Sequence, residues 1–342
     1  RQRQMCIRDS LTTVAEQLSG LALAITDSAE SALPGETASY SLTVTNMGNS
    51  DDNIAVNLAG EWSASSDVIG PLSPGQSQTF NVNVEVDSTA PGGSIDTTLV
   101  TVTSQVDPTV STTAQLVTTA EQQIGLSLTA AESRMEGKPG ETIGYELTVA
   151  NLGNTVETFR MDIDSLWKLE GPVDIGPIEP AGSDTFSVSG MVPAGTSAGI
   201  EEVATVTIYS GESAVANIEL VTVAAQAPAI ACAPMEQSSF GLPNTDVVYS
   251  ITVVNQGNGP DVIEVATDGI WAATALTAET SLLEAGESTE VEVAVSVPAE
   301  SVGNGTDTTT VTLRSRVDAN VTDHARLKTG QLHAVYMPTI IK

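Results

Sequence analysis

Apolar residues fall at every second position through most of the chain's short apolar segments. In residues 37–46 the apolar row is Ala38, Tyr40, Leu42 and Val44, and the positions between are Ser and Thr. A period of two puts alternate side chains on opposite faces of an extended chain, so the segment predicts a β-strand with one buried and one wet face. The same alternation runs through Leu21, Leu23 and Ile25, then Ile54, Val56 and Leu58. It continues in Phe80, Val82, Val84 and Val86, in Val100 and Val102, and in Ala114 and Leu116. Outward positions are mostly Thr, Ser, Asn and Glu, as in antiparallel sheets that are wet on one face. Helical periodicity is nearly absent.

The pattern returns twice. Pro34-Gly-Glu-Thr-Ala-Ser-Tyr40-Ser-Leu42-Thr-Val44-Thr-Asn46-Met-Gly48-Asn49 recurs as Pro139-Gly-Glu-Thr through Asn151-Leu-Gly153-Asn154. A more divergent copy runs from Pro243 to Asn258, with Asn244 in place of Gly. Tyr40, Tyr145 and Tyr249 stand 105 and 104 residues apart, and so do Trp62, Trp167 and Trp271. Asn46, Asn151 and Asn255 keep the same spacing. An internal period outranks a length-based domain count. A unit of about 105 residues is long enough to bury its own core. Seven short alternating strands per unit, separated by Gly, Pro and Asn turns, predict an all-β chain of three tandem Ig-like β-sandwich modules. Their expected spans are 21–121, 122–226 and 227–332. Residues 11–20 align with the joints at 116–125 and 220–229, so they read as the last strand of a truncated upstream module.

Two terminal segments stand outside the period. Met5-Cys-Ile-Arg-Asp-Ser10 matches the translated mosaic end of a transposase used in sequencing libraries, which would make residues 1–10 an artefact of a metagenomic fragment. Residues 333–342 form a C-terminal tail, read either as a sorting or anchoring tag or as a closing edge strand capped by Pro338.

Charge narrows the partners. The chain carries 43 acidic and 12 basic residues, a net charge of −31. Binding nucleic acid needs Lys and Arg to displace counterions from phosphates, so no nucleic-acid partner is expected. No apolar run reaches the ~18 residues of a membrane helix. Of the two cysteines, Cys6 lies in the discarded segment and Cys232 takes an inward strand position, so no disulfide framework is available.

Candidate chemistry is sparse. His324 and His333 are unrepeated and lack zinc-ligand spacing. No phosphate loop or nucleophile elbow appears, so no catalytic residue and no cofactor are assigned. Asp51-Asp52-Asn53, Asp162, Asp164 and Asp307, with Glu16 and Glu121 at joints, offer oxygens for structural calcium, though solvated loop charge is the favoured reading. The three Trp residues read as core-edge side chains in preference to sugar-stacking platforms, and the three Tyr residues as packing. The sequons at Asn304 and Asn320 are unrepeated and read as chance.

These motifs together resemble bacterial and archaeal extracellular Ig-like repeats. The named likenesses are the NEW-type domain associated with alpha-galactosidases and the CARDB-type, adhesion-related domains. The resemblance implies an extracellular or cell-surface setting and a non-enzymatic stalk, spacer or adhesion-type repeat region. Cell-wall or extracellular polysaccharide, or a surface protein, would be the partner. The alternative is an accessory, carbohydrate-binding region of a secreted hydrolase or peptidase whose catalytic domain lies upstream.

Overall fold

A computed structural model describes residues 13–300 and 305–332. The expectations for residues 1–10, for part of 11–20, for Asn304 and for the tail lie outside that range. Every regular element among the described residues is a strand.

Module 1 opens with β1 (Leu21–Ile25), β2 (Ala29–Ala32), β3 (Thr37–Asn46) and β4 (Ile54–Ala59). It closes with β5 (Ser63–Ser66), β6 (Ser77–Glu85), β7 (Ile95–Ser104) and β8 (Ser111–Ala120). Two sheets form, in the orders β1-β3-β6-β5 and β2-β8-β7-β4. Between them lies a core with Tyr40, Leu42, Val44, Phe80, Val102 and Leu116 fully buried. The alternation dictates this, because β3 buries every second residue from Ala38 to Asn46. Each large aliphatic taken out of water contributes about 1.5–3 kcal/mol.

The expected first strand is two strands. After β1 the chain crosses to the other sheet, where β2 pairs in parallel with β8 from Ala29↔Val117 to Ala32↔Ala120. Ala29-Glu-Ser-Ala32 buries only its last residue, so it shows no alternation. Among the described residues each module therefore has eight strands where seven were expected.

Module 2 repeats the plan with β9 (Leu126–Ala130), β10 (Arg134–Gly137), β11 (Thr142–Asn151) and β12 (Glu157–Asp164). It continues with β13 (Asp174–Ile178), β14 (Ser183–Met191), β15 (Glu201–Ser210) and β16 (Ser213–Ala224). Here β13 joins β12, giving the orders β10-β16-β15-β12-β13 and β14-β11-β9.

Module 3 comprises β17 (Ile230–Ala233), β18 (Glu236–Gly241), β19 (Asp246–Asn255) and β20 (Ile263–Asp268). The rest are β21 (Ala273–Ala275), β22 (Ser288–Ser296), β23 (Thr306–Ser315) and β24 (Thr322–Gln331). Its sheets return to four strands each, β17-β19-β22-β21 and β18-β24-β23-β20. The three buried clusters draw on residues 32–120, 143–220 and 232–327 and share no member. Residues 13–20 carry no assigned strand, and a last strand of a module whose other strands are absent would have nothing here to pair with.

Candidate functional site

The repeated residues fall into three structural devices, and a fourth joins the modules. The Tyr hydroxyl ties the two sheets together. Tyr40 donates to Val117 O at 2.8 Å and shares a hydrogen bond with Thr118 Oγ1 at 2.7 Å. Tyr145 does the same with Val221 O and Thr222, and Tyr249 with Lys328 O and Thr329. Burial pushes the phenols of Tyr40 and Tyr145 above the usual value, partly offset by the threonine bonds.

Asn46 closes the turn after β3. Its Nδ2 donates to Ser50 O and Leu72 O, both at 2.8 Å, while its Oδ1 accepts Gly48 N–H. Asn151 and Asn255 reproduce all three bonds. A buried amide with every donor used is a rigid turn.

The Trp loop rests on a buried carboxylate that sequence reasoning missed as a repeat. Trp271 is buried, whereas Trp62 and Trp167 are half-buried against their cores. In module 1 Asp96 accepts Glu61 N–H and the Thr98 hydroxyl. In module 3 Asp307 accepts Ile270 N–H and the Thr309 hydroxyl. Module 2 uses Glu202, which takes the Ser165 hydroxyl and the Leu166 N–H instead.

Ser165 stands where modules 1 and 3 have Gly60 and Gly269, and Ala204 stands where they have Thr98 and Thr309. A Cβ on Gly60 would meet Asp96 Oδ2 and Thr98 Oγ1 at 2.8 Å, so the hydroxyl can sit on the strand or in the loop, not both. Of the acidic candidates for calcium, Asp52, Asp307 and Glu121 accept hydrogen bonds from protein donors. Asp52 takes the Ser104 hydroxyl and Val106 N–H, and Asp261 takes Ser315 and Arg316 N–H. Among the described residues no three His, Cys, Asp or Glu side chains gather as metal ligands. Cys232 is buried on its strand, and burial beside Asp323 pushes its thiol up to about 12.

The fourth device is the last Asn of the repeated turn, at positions 49, 154 and 258. Five linker residues separate β8 from β9, and five separate β16 from β17. Asn154 organises the first joint. Its Oδ1 accepts Gln123 N–H at 2.7 Å, and its amide N–H donates to Gln123 O at 3.1 Å. Its Nδ2 donates to Glu121 O at 3.0 Å and, across the joint, to Ala90 O at 3.2 Å. Its own carbonyl accepts Gly92 N–H at 3.0 Å.

Asn258 makes the same five contacts, to Ala227 twice, Ala225, Thr196 and Ala198. Asn49 makes three of them, to Leu18 twice and Glu16. At both full joints the turn after the Tyr strand of one module meets the loop before the penultimate strand of its predecessor. An open groove of about 440 Å³ beside the first joint is lined by Pro34, Pro91, Gln123, Leu152, Asn154 and Pro180, among others.

No protein-family model and no curated protein sequence matches the chain. Among solved structures it is similar to protocadherin Gamma B2 extracellular cadherin domains 3–6, at 9% identity over 92% of this chain and 78% of that one, with a TM-score of 0.45. The extracellular domain of protocadherin GammaB4 is 12% identical over 92% of this chain and 51% of that one, with a TM-score of 0.47. The Escherichia coli adhesin FdeC is 10% identical over 93% of this chain and 100% of that one, at 0.36. At these identities and TM-scores the likenesses carry no function to this chain.

Proposed function

We propose that the chain is a non-enzymatic, semi-rigid stalk, a spacer or adhesion-type repeat region of an extracellular or cell-surface protein. The observation that carries this is Asn154, with its counterpart Asn258: one side chain binds the linker and the preceding module together. A five-residue linker held at both ends by backbone-directed bonds behaves as a fixed joint, unlike a Gly/Ser tether. The resemblance to NEW-type and CARDB-type repeats supports the same setting. The acidic surface keeps such an array soluble and self-repelling.

The reading is tested by small-angle scattering. Strands of eight to ten residues at ~3.3 Å each give modules of roughly 30 Å, so three in line span on the order of 100 Å, with a radius of gyration near or above ~30 Å. A compact chain of this length would have about 20 Å. A value near the compact one sinks the proposal.

A further inference from the structure

Positive charge is distributed unevenly along this acidic chain. Residues 21–121 contain no Lys, Arg or His at all. Arg314, Arg316, Arg326 and Lys328, with His324, all fall on the last two strands of module 3 and the turn joining them. On β24 the residues His324, Arg326 and Lys328 alternate with buried Ala325, Leu327 and Thr329, so the three point from one exposed face. Successive members of such a row stand ~6.8 Å apart. Modules 1 and 2 place Thr113, Gln115 and Val117, and Asn217, Glu219 and Val221, at these positions, so the basic row belongs to module 3 alone.

The row has neighbours that suit one kind of ligand. Across the sheet, Thr308, Thr310 and Thr312 on β23 stand opposite Lys328, Arg326 and His324. They form a lane of outward hydroxyls, with Arg314 at its end. Next after Lys328 on the same face comes Gly330, and the ring of Phe240 lies over it, 2.5 Å from where a Cβ would stand. Phe240 remains 65% exposed. Arg314, Arg326 and Lys328 make no ion pair among the described residues, although Glu264 and Glu236 stand opposite Arg314 and Arg326 in the register. A shallow concavity of about 410 Å³ lined by Met235, Glu236, His324 and Arg326 flanks the row.

We propose that the outer face of the β18-β24-β23-β20 sheet binds a linear anionic polysaccharide, one carrying carboxylate or sulfate groups along its length. The cations in line would meet repeated anions, with arginine offering paired donors to each. Threonine hydroxyls would bond sugar oxygens, and the exposed Phe240 ring would stack on a pyranose face. The ring and hydroxyl lane favour a glycan over an acidic protein surface, because Phe240 is the one large apolar side chain among the outward strand positions of this sheet. The net negative charge of the chain does not prevent this, because at physiological salt charges are screened beyond ~8 Å. This inference stands apart from the stalk reading, since a compact arrangement of the modules would leave this face as it is.

The test is titration of the full chain with polygalacturonate, dextran sulfate and neutral dextran at 50 and 300 mM NaCl, alongside sedimentation of the chain alone. Binding to at least one polyanion but not to dextran is expected, weakening at the higher salt. The exposed triple substitution Arg314→Gln/Arg326→Gln/Lys328→Gln should weaken it at least tenfold. Arg160→Gln/Lys168→Gln, exposed or partly exposed cations of module 2, should leave it unchanged. Circular dichroism and melting of each variant confirm that the fold is kept. The proposal is overturned by no polyanion binding at 50 mM NaCl, or by binding that survives the triple substitution. Equal loss in the module 2 variant overturns it too, as does self-association removed by the triple substitution with no glycan bound.

Discussion

Asn154 and Gly92 belong to different modules, and the carbonyl of the first accepts the amide of the second at 3.0 Å. Asn258 and Ala198 repeat the bond at 2.9 Å. A turn that closes a strand in one module is thereby also the socket for its predecessor. Adding a side chain at Gly92 would crowd Thr155 and Asn154 at 2.7 and 2.9 Å, so the close approach at the first joint requires glycine there. At the second joint Ala198 is tolerated because the facing residue is Gly259, whose Cβ would meet that of Ala198 at 2.8 Å.

The Trp loops make a first prediction. Gly60→Ser should destabilise module 1 by about 2 kcal/mol, the usual cost of overpacking. Adding Asp96→Glu and Thr98→Ala recreates the arrangement of module 2 and should recover most of that loss, because contacting residues are not additive. Denaturant unfolding followed by Trp62 fluorescence, with Trp167→Phe and Trp271→Phe in all variants, reads module 1 alone. A triple variant no more stable than the single one would count against the shared-pocket account.

Turn geometry gives a second. At the turn before β14, Ala181 adopts a φ of 59°, where the equivalent Gly75 and Gly286 have 74° and 82°. A left-handed alanine costs roughly 1–2 kcal/mol, of which glycine's extra freedom in the unfolded chain takes back part. Ala181→Gly should therefore stabilise module 2 by about 0.5–1 kcal/mol, read from Trp167 fluorescence. A loss of stability would contradict it. The substituted turns of module 3 need no such repair, since Asn244 holds a φ of 58° that asparagine accepts readily.

Cys232 supplies a pH dependence. Burial and the neighbouring Asp323 raise its thiol from 9.0 to about 12 in the folded chain. The folded state thus holds the proton more tightly than the unfolded state. Its contribution to stability is fully present below pH 9 and is lost as pH rises from 9 towards 12. In a Cys6→Ser chain, a thiol reagent at pH 8 should modify nothing until denaturant is added, and one thiol afterwards. Rapid native labelling would refute the buried, protonated thiol.

The alternation of β3, β6 and β7 was fully legible because burial has the period of the strand itself. The stretch Ala29–Ala32 was not, because an edge segment that buries only Ala32 leaves no alternating signal. Tyr40, Trp62 and Asn46 were found as repeats, although their partners are backbone atoms such as Val117 O and Leu72 O, which leave no trace in residue identity. Asn49, Asn154 and Asn258 escaped notice for the same reason. An asparagine in a turn already has a local explanation, and its bonds here go to the main chain of another module. The pairing of Gly60 with Thr98, and of Ser165 with Ala204, could have been seen by aligning the three copies at small residues as well as at aromatic ones.

The joint itself is tested by the distribution of distances between spin labels on Val68→Cys and Leu166→Cys in a Cys6→Ser chain. Both positions are 89% exposed, one in each of the first two modules. The account predicts a single narrow distribution that broadens markedly when Asn154→Ala is added, with both modules still folded. A distribution already broad in the parent, or one that Asn154→Ala leaves unchanged, would contradict it.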